Sequence, residues 1–243
     1  MYLGAFEGRA AIDMSRANPE ERYFGPEAMR FLRALARNNN REWFQRNKSR
    51  YESDIQGPAV RFIDAMGPRL ARLSPHIVAD ARPFGGSLSR IYRDTRFSKD
   101  KSPYKTGVGI HFHHDAMGRI SDNLPGFYLH LEPGECIVAS GIWHPAPPAL
   151  KRIRDAIVAS PAVWRAVLLH GLKIGGESYV RVPAGYDPHH TFAEDLRRKD
   201  FYSMHPLSDA QVAGSEFGVT FENACRELDP LNEFLARATG VPW

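Results

Sequence analysis

Cysteine is nearly missing from this chain of 243 residues: only Cys136 and Cys225 occur, in unlike surroundings and with no partner at metal-ligand spacing. That excludes a disulfide framework and a zinc knuckle. Long apolar runs are missing too. None approaches the ~20 residues that cross a bilayer, and the opening MYLGAFEGRAAIDMSRANPEERYF lacks the basic head and apolar stretch of a secretory signal. The expectation is a cytoplasmic protein with reduced, buried thiols and no membrane partner. The glycine fingerprints that cradle nucleotide phosphates do not occur. Nor does GGSLS at residues 85–89 supply the Gly-x-Ser-x-Gly elbow of a serine hydrolase.

What is present is ordinary in bulk and uneven in distribution. With 43% hydrophobic and 25% charged residues the composition is that of a packed globular core, and the length suits one domain. Residues 1–23 are small and polar without apolar periodicity, which predicts a loose arm before one domain over residues 24–243. The net charge is only +4. Residues 82–105, however, carry seven basic and two acidic side chains, a net of +5, so the rest of the chain is slightly acidic. A cationic window of this kind points to an anionic partner.

Pro26 followed by Met29, Phe31, Leu32 and Leu35 predicts a helix to about Arg37. Asn38, Asn39 and Asn40 then read as a tight αα corner, one asparagine closing the helix in a left-handed conformation and another capping the next. Trp43, Phe44, Asn47 and Tyr51 follow at helical spacing. Gly57-Pro58 and Gly67-Pro68 predict breaks, so residues 41–73 become two or three segments. From Leu88 the period alternates. SLSRIYR, GVGIHFHH, GFYLHLE and ECIVASGIW read as strands of a mainly antiparallel sheet, with Pro133-Gly134 as a hairpin turn. Helical spacing resumes over residues 150–157 and 163–168. Residues 179–187 look extended, and residues 190–199 and 209–237 look helical, the last split near 214–218. The fold expected is α+β, a central sheet flanked by helices.

The segment RIYRDTRFSKDKSPYK, residues 90–105, is too polar for a core. Arginine forks, lysine point charges and the hydroxyls of Thr95, Ser98 and Ser102 could hold an anion from several sides, with aromatics available to stack on a ring or base. The bland alternative is a solvated loop in which Asp94 and Asp100 pair with neighbouring cations.

The combination NNNREWFQRNKSRY, RIYRDTRFSKDKSPYKT, GFYLHLEPGE and GIWHPAPPALKRIRDAI resembles the bacterial and fungal domain-of-unknown-function family 2461, over residues 25–207. The resemblance implies a shared α+β fold and brings no activity. Its pattern falls on Asn39, Arg41, Trp43 and Phe44; on Arg93, Asp94, Arg96, Phe97, Lys101, Pro103, Tyr104 and Lys105; and on Gly141, Trp143 and Pro145. His144 stands at a freer position of that pattern.

Weaker signals were weighed beside these. In HFHHD the strand alternation puts His111 and His113 on one face and His114 on the other, so half-exposed histidines, not a metal site, are expected, and no cofactor is implied. The αα corner has the length of a helix-turn-helix, yet its second helix spends Trp43, Phe44 and Tyr51 on the core. Free N–H groups beside Arg41 could attract an anion, unless Asn40 merely caps the helix.

These residues define the expectation: a cleft between the αα corner and the sheet that binds a phosphate-bearing small molecule or nucleic acid. Arg41, Arg93, Arg96, Lys101 and Lys105 supply charge, and Trp43 and Tyr104 supply stacking surface. One alternative is an enzyme acting on an anionic substrate, with Asp94 or Glu42 as general base. Another is a protein-interaction module, marked by an exposed apolar patch.

Overall fold

The structure, a computed structural model, describes residues 22–96, 98–117 and 123–243. Most of the expected arm, residues 1–21, lies outside the described residues; Tyr23, placed in the arm by sequence, packs its ring on Phe62 with centroids 5.3 Å apart.

Pro26 opens α1 (Pro26–Arg37), which buries Met29, Phe31, Leu32 and Leu35 as their spacing predicts. Asn38 ends it at φ −134°, outside the left-handed region expected of it. Its amide donates instead to the Ala34 carbonyl at 2.9 Å, so the side chain itself satisfies an orphan acceptor of the last turn. Then come α2 (Arg41–Arg46), α3 (Lys48–Tyr51), a π-helical turn (Glu52–Gln56) and α4 (Gly57–Leu70). Gly57-Pro58 opens α4, as a proline in the first turn allows. Gly67-Pro68 does not break it; the helix continues two residues past Pro68.

Five strands form one antiparallel sheet in chain order: β1 (Ile77–Val78), β2 (Val108–His114), β3 (Gly126–Leu131), β4 (Cys136–Ile142) and β5 (Phe201–Leu207). The β3–β4 hairpin turns where predicted, with Gly134 at φ 86° and the Glu135 N–H donating to the Glu132 carbonyl at 2.8 Å. Three strand or helix readings are corrected. SLSRIYR is not a regular strand: it runs irregularly beside β2, touching it through the Leu88–Ile110 bridge, while Tyr92 bridges Tyr104 ahead of β2 across the intervening loop of residues 93–103. Residues 179–187 form no strand, and the helix over 190–199 shrinks to one turn, α7 (Ala193–Leu196). Strand β5, unanticipated, carries Pro206; at the sheet edge its missing N–H breaks no ladder bond.

The remaining helices are α5 (Pro147–Ala159), α6 (Pro161–Leu169), α8 (Asp209–Val212) and α9 (Phe217–Thr239), the last two split as expected. Period-two alternation sends Ile110, Phe112, Phe127, Leu129 and Val138 to one face of the sheet, fully buried against the helices. A second cluster gathers Trp164, Phe201 and Leu235 between α5, α6, α9 and β5. From the long helix α9, the buried Asn232 accepts from the Gly141 N–H at 2.8 Å and donates to the Gly126 carbonyl at 3.1 Å, which locks helix to sheet across a paired glycine rung. Among the described residues no helix is long and apolar enough to cross a membrane.

Candidate functional site

The αα corner and the basic segment meet around Asn39. Its side-chain amide donates to the Tyr104 carbonyl at 2.9 Å and its oxygen accepts the Tyr104 N–H at 3.1 Å, imitating a strand partner. Asn40 does what a cap does, accepting the Trp43 N–H at 2.9 Å. Tyr104 lies buried and stacked on Phe44, centroids 4.1 Å apart and planes 20° apart, so the loop is anchored by a ring in the core and by a clamp on its backbone. Asn39→Ala would orphan two backbone groups at a partly buried contact. The expected cost is about 1–3 kcal/mol, measured by denaturant melting. An unchanged midpoint would show that the clamp is idle.

Between corner and loop lies a recess of about 620 Å³, lined by Arg41 and Gln45 on one side and by Tyr92, Arg93, Thr95, Lys101 and Tyr104 on the other, with Asn39 at its base. Among the described residues three cations line it and no carboxylate does. Arg93 donates to Asp100, which is not among the lining residues, and to Ser102 Oγ at 3.1 Å, so its charge is compensated. Lys101 Nζ donates to the Thr95 carbonyl at 2.8 Å, a bond that leaves its charge uncompensated. Among the described residues Arg41 has no carboxylate partner.

Not every predicted residue arrives there. Arg96 grips Asp94 through Nε at 3.1 Å and Nη2 at 2.7 Å, and Lys105 and Trp43 also lie off the lining, Trp43 packed on Phe31 at 5.8 Å. Tyr104 offers no open face for stacking because Phe44 occupies it. The exposed ring of the recess is Tyr92, 53% accessible and 5.5 Å from Tyr104; the sequence signal that could have found it was its place opposite Tyr104 on an interrupted edge. Phe97 lies outside the described residues. Both candidate bases are engaged: Asp94 is held below the usual carboxylate range by hydrogen bonds from Arg96, which makes it a weaker base, and Glu42 faces Arg46 at 3.5 Å in the open.

The histidines divide as alternation predicts. His114 is buried on the helix side, where His76, His114 and Asp115 bring donor atoms within 4.8 Å of one another. His114 Nε2 faces the Pro242 carbonyl at 2.8 Å, so it carries the proton, and Nδ1 accepts the Ala116 N–H at 3.1 Å. Neither nitrogen has a lone pair left for a metal. His144, the freer position by resemblance, stands at φ 50° with its N–H on buried Asp200 at 2.8 Å and its Nδ1 3.3 Å from the same oxygen. Asp200 also accepts the Glu177 N–H at 3.0 Å, so this carboxylate ties two loops together.

One family model matches the chain: that of the conserved hypothetical protein family DUF2461, over residues 27–234. No curated protein and no solved structure matches it.

Proposed function

Since the chain belongs to the DUF2461 family, a membership that supplies a fold and no chemistry, we propose from geometry that the recess beside Asn39 binds a phosphate-bearing small molecule of nucleotide size. One observation carries this reading: Arg41 on one side and Arg93 and Lys101 on the other face one recess whose described lining holds no carboxylate, and of the three only Arg93 has a carboxylate partner among the described residues, Asp100. Like charges gathered in a recess raise its positive potential and cost the free protein self-repulsion, which a bound dianion removes. Guanidinium forks suit phosphate oxygens, and the exposed Tyr92 ring offers a face to a base or sugar at the rim. The volume, about 620 Å³, falls in the range of small-molecule sites, whereas nucleic acid asks for an extended basic stripe.

The enzyme reading requires a carboxylate free in the cleft. Asp94 and Glu42 are both spent on arginines, and no observation favours it.

The test is isothermal titration with pyrophosphate and adenosine diphosphate, comparing the wild type with the Arg41→Ala/Lys101→Ala double variant. Micromolar binding that weakens at least tenfold in the variant, and weakens with salt as screening shortens from ~10 Å at 0.1 M to ~3 Å at 1 M, is the expected outcome. Equal affinity in both proteins, or no heat from either probe with the wild type, ends the proposal.

A further inference from the structure

The sheet has a second face, which the basic recess does not use. Opposite the core, register aligns His111 with Tyr128, Tyr128 with Ala139, and Ala139 with Met204. The next row runs Gly126, Gly141, Tyr202. Along β4 the outward positions are Ile137, Ala139 and Gly141, the last two small, while the strands on either side carry large rings. Two further glycines let those rings lean away from β4. A Cβ on Gly109 would stand 2.5 Å from Tyr128 Oη, and one on Gly175 would stand 2.6 Å from the Tyr202 ring, so each tyrosine lies over a strand or loop that has no side chain to stop it. What remains is a trough along β4 of about 610 Å³.

Its floor is rigid. Asn232 holds the Gly126 and Gly141 backbones from the far side of the sheet. At one end Asn123 donates to the carbonyls of Trp143 and His144, at 3.0 and 3.2 Å, fixing the turn that presents Trp143. That indole is 66% accessible and Met204 50%, a large apolar exposure at the mouth of a concavity. Among the described residues no Asp, Glu, Lys or Arg lines the trough.

We propose that this trough is a second ligand site, taking one uncharged planar ring compound flat along β4 between Tyr128 and Tyr202, with Trp143 closing over its end. The described lining offers an ionic occupant no charged partner, and a charge taken out of water without one is strongly disfavoured. The width excludes a broad protein surface: two inter-strand spacings of about 4.8 Å separate β3 from β5, which admits one ring system between walls, whereas a stable protein partner covers about 800 Å² per side. The His111 ring, on the lining of the trough, supplies a hydrogen bond to a polar atom at the edge of the ring compound. The site is separate from the basic recess and stands whether or not that recess binds phosphate.

The experiment uses the uncharged fluorophore N-phenyl-1-naphthylamine and its anionic counterpart 8-anilinonaphthalene-1-sulfonate. Saturable one-to-one binding of the neutral probe to the wild type is expected. Ala139→Leu, which raises the floor, should weaken it at least tenfold, the anionic probe should bind at least fivefold more weakly, and Arg41→Ala/Lys101→Ala should leave neutral-probe binding unchanged. Thermal melting checks that Ala139→Leu folds, and Trp143→Ala, at an exposed position, replaces it if it does not. No saturable binding, equal affinity in the trough variant, tighter binding of the anion, or loss of probe as rising protein concentration pairs two copies over this face would each overturn the proposal.

Discussion

Phe62→Ala should lower the stability of this protein by about 3–5 kcal/mol, the range for truncating a fully buried phenylalanine. Phe62 has no solvent exposure and sits where α4 meets the sheet and α9. Its ring stacks on Phe217 at 5.1 Å, meets Phe221 edge-on at 5.0 Å, and touches Phe24 and Phe112 at 5.9 and 6.2 Å. Those neighbours come from three different segments, the stretch before α1, β2 and α9, so no single one can collapse into the cavity without leaving another. At ~2–4 °C per kcal/mol for a chain of this size, the melting temperature should fall by roughly 10 °C. A loss below ~1 kcal/mol would mean that the aromatic cluster repacks, and that the described core is not the one that sets stability.

The second large effect is a pH dependence. The His111 imidazole is pushed down to about 4, first by burial and then by the neighbouring His113. Its ring faces His113 at 6.1 Å and Tyr128 at 6.3 Å, with no carboxylate among those ring contacts. In the unfolded chain the same group takes up its proton near 6.5. Between pH 6.5 and about 4 the unfolded state therefore binds the extra proton. The stability His111 contributes is fully present above pH 6.5, is lost as pH falls through this window, and levels off below about 4. The total is about 3 kcal/mol by linkage. Unfolding free energy measured from pH 7.5 to 4 should show this slope, and His111→Gln should flatten it. An identical slope in the variant would assign the proton uptake to another group.

Local rules carried the sequence reading a long way. Helical spacing located α1 and the start of α5, and alternation located β2, β3 and β4. The Pro-Gly pair set the β3–β4 turn, and the charge excess over residues 82–105 marked the loop that lines the basic recess. Each of these depends on a period or a turn chemistry that neighbouring residues impose on one another. The family resemblance drew attention to Asn39 without saying why, and the reason is a pair of hydrogen bonds to a residue 65 positions away.

What stayed hidden was non-local. Strand β5 exists because β4 offers it a free edge, and Pro206 hides it from any propensity rule. Tyr92 and Tyr104 have the same chemistry in sequence, yet one is exposed and the other is a core stack, because only Tyr104 falls beneath Phe44. Arg93 and Arg96 look equivalent, but only Arg93 faces the recess; Arg96 turns to Asp94. The trough on the outer face depends on which residues share a rung across three strands, and on glycines far apart in the chain. Sequence alone determined the strongly periodic elements and the sign of the charge, because these follow from neighbours along the chain. The tertiary structure alone decided which charges, rings and gaps face one another, because burial and strand register are set by contacts between distant segments.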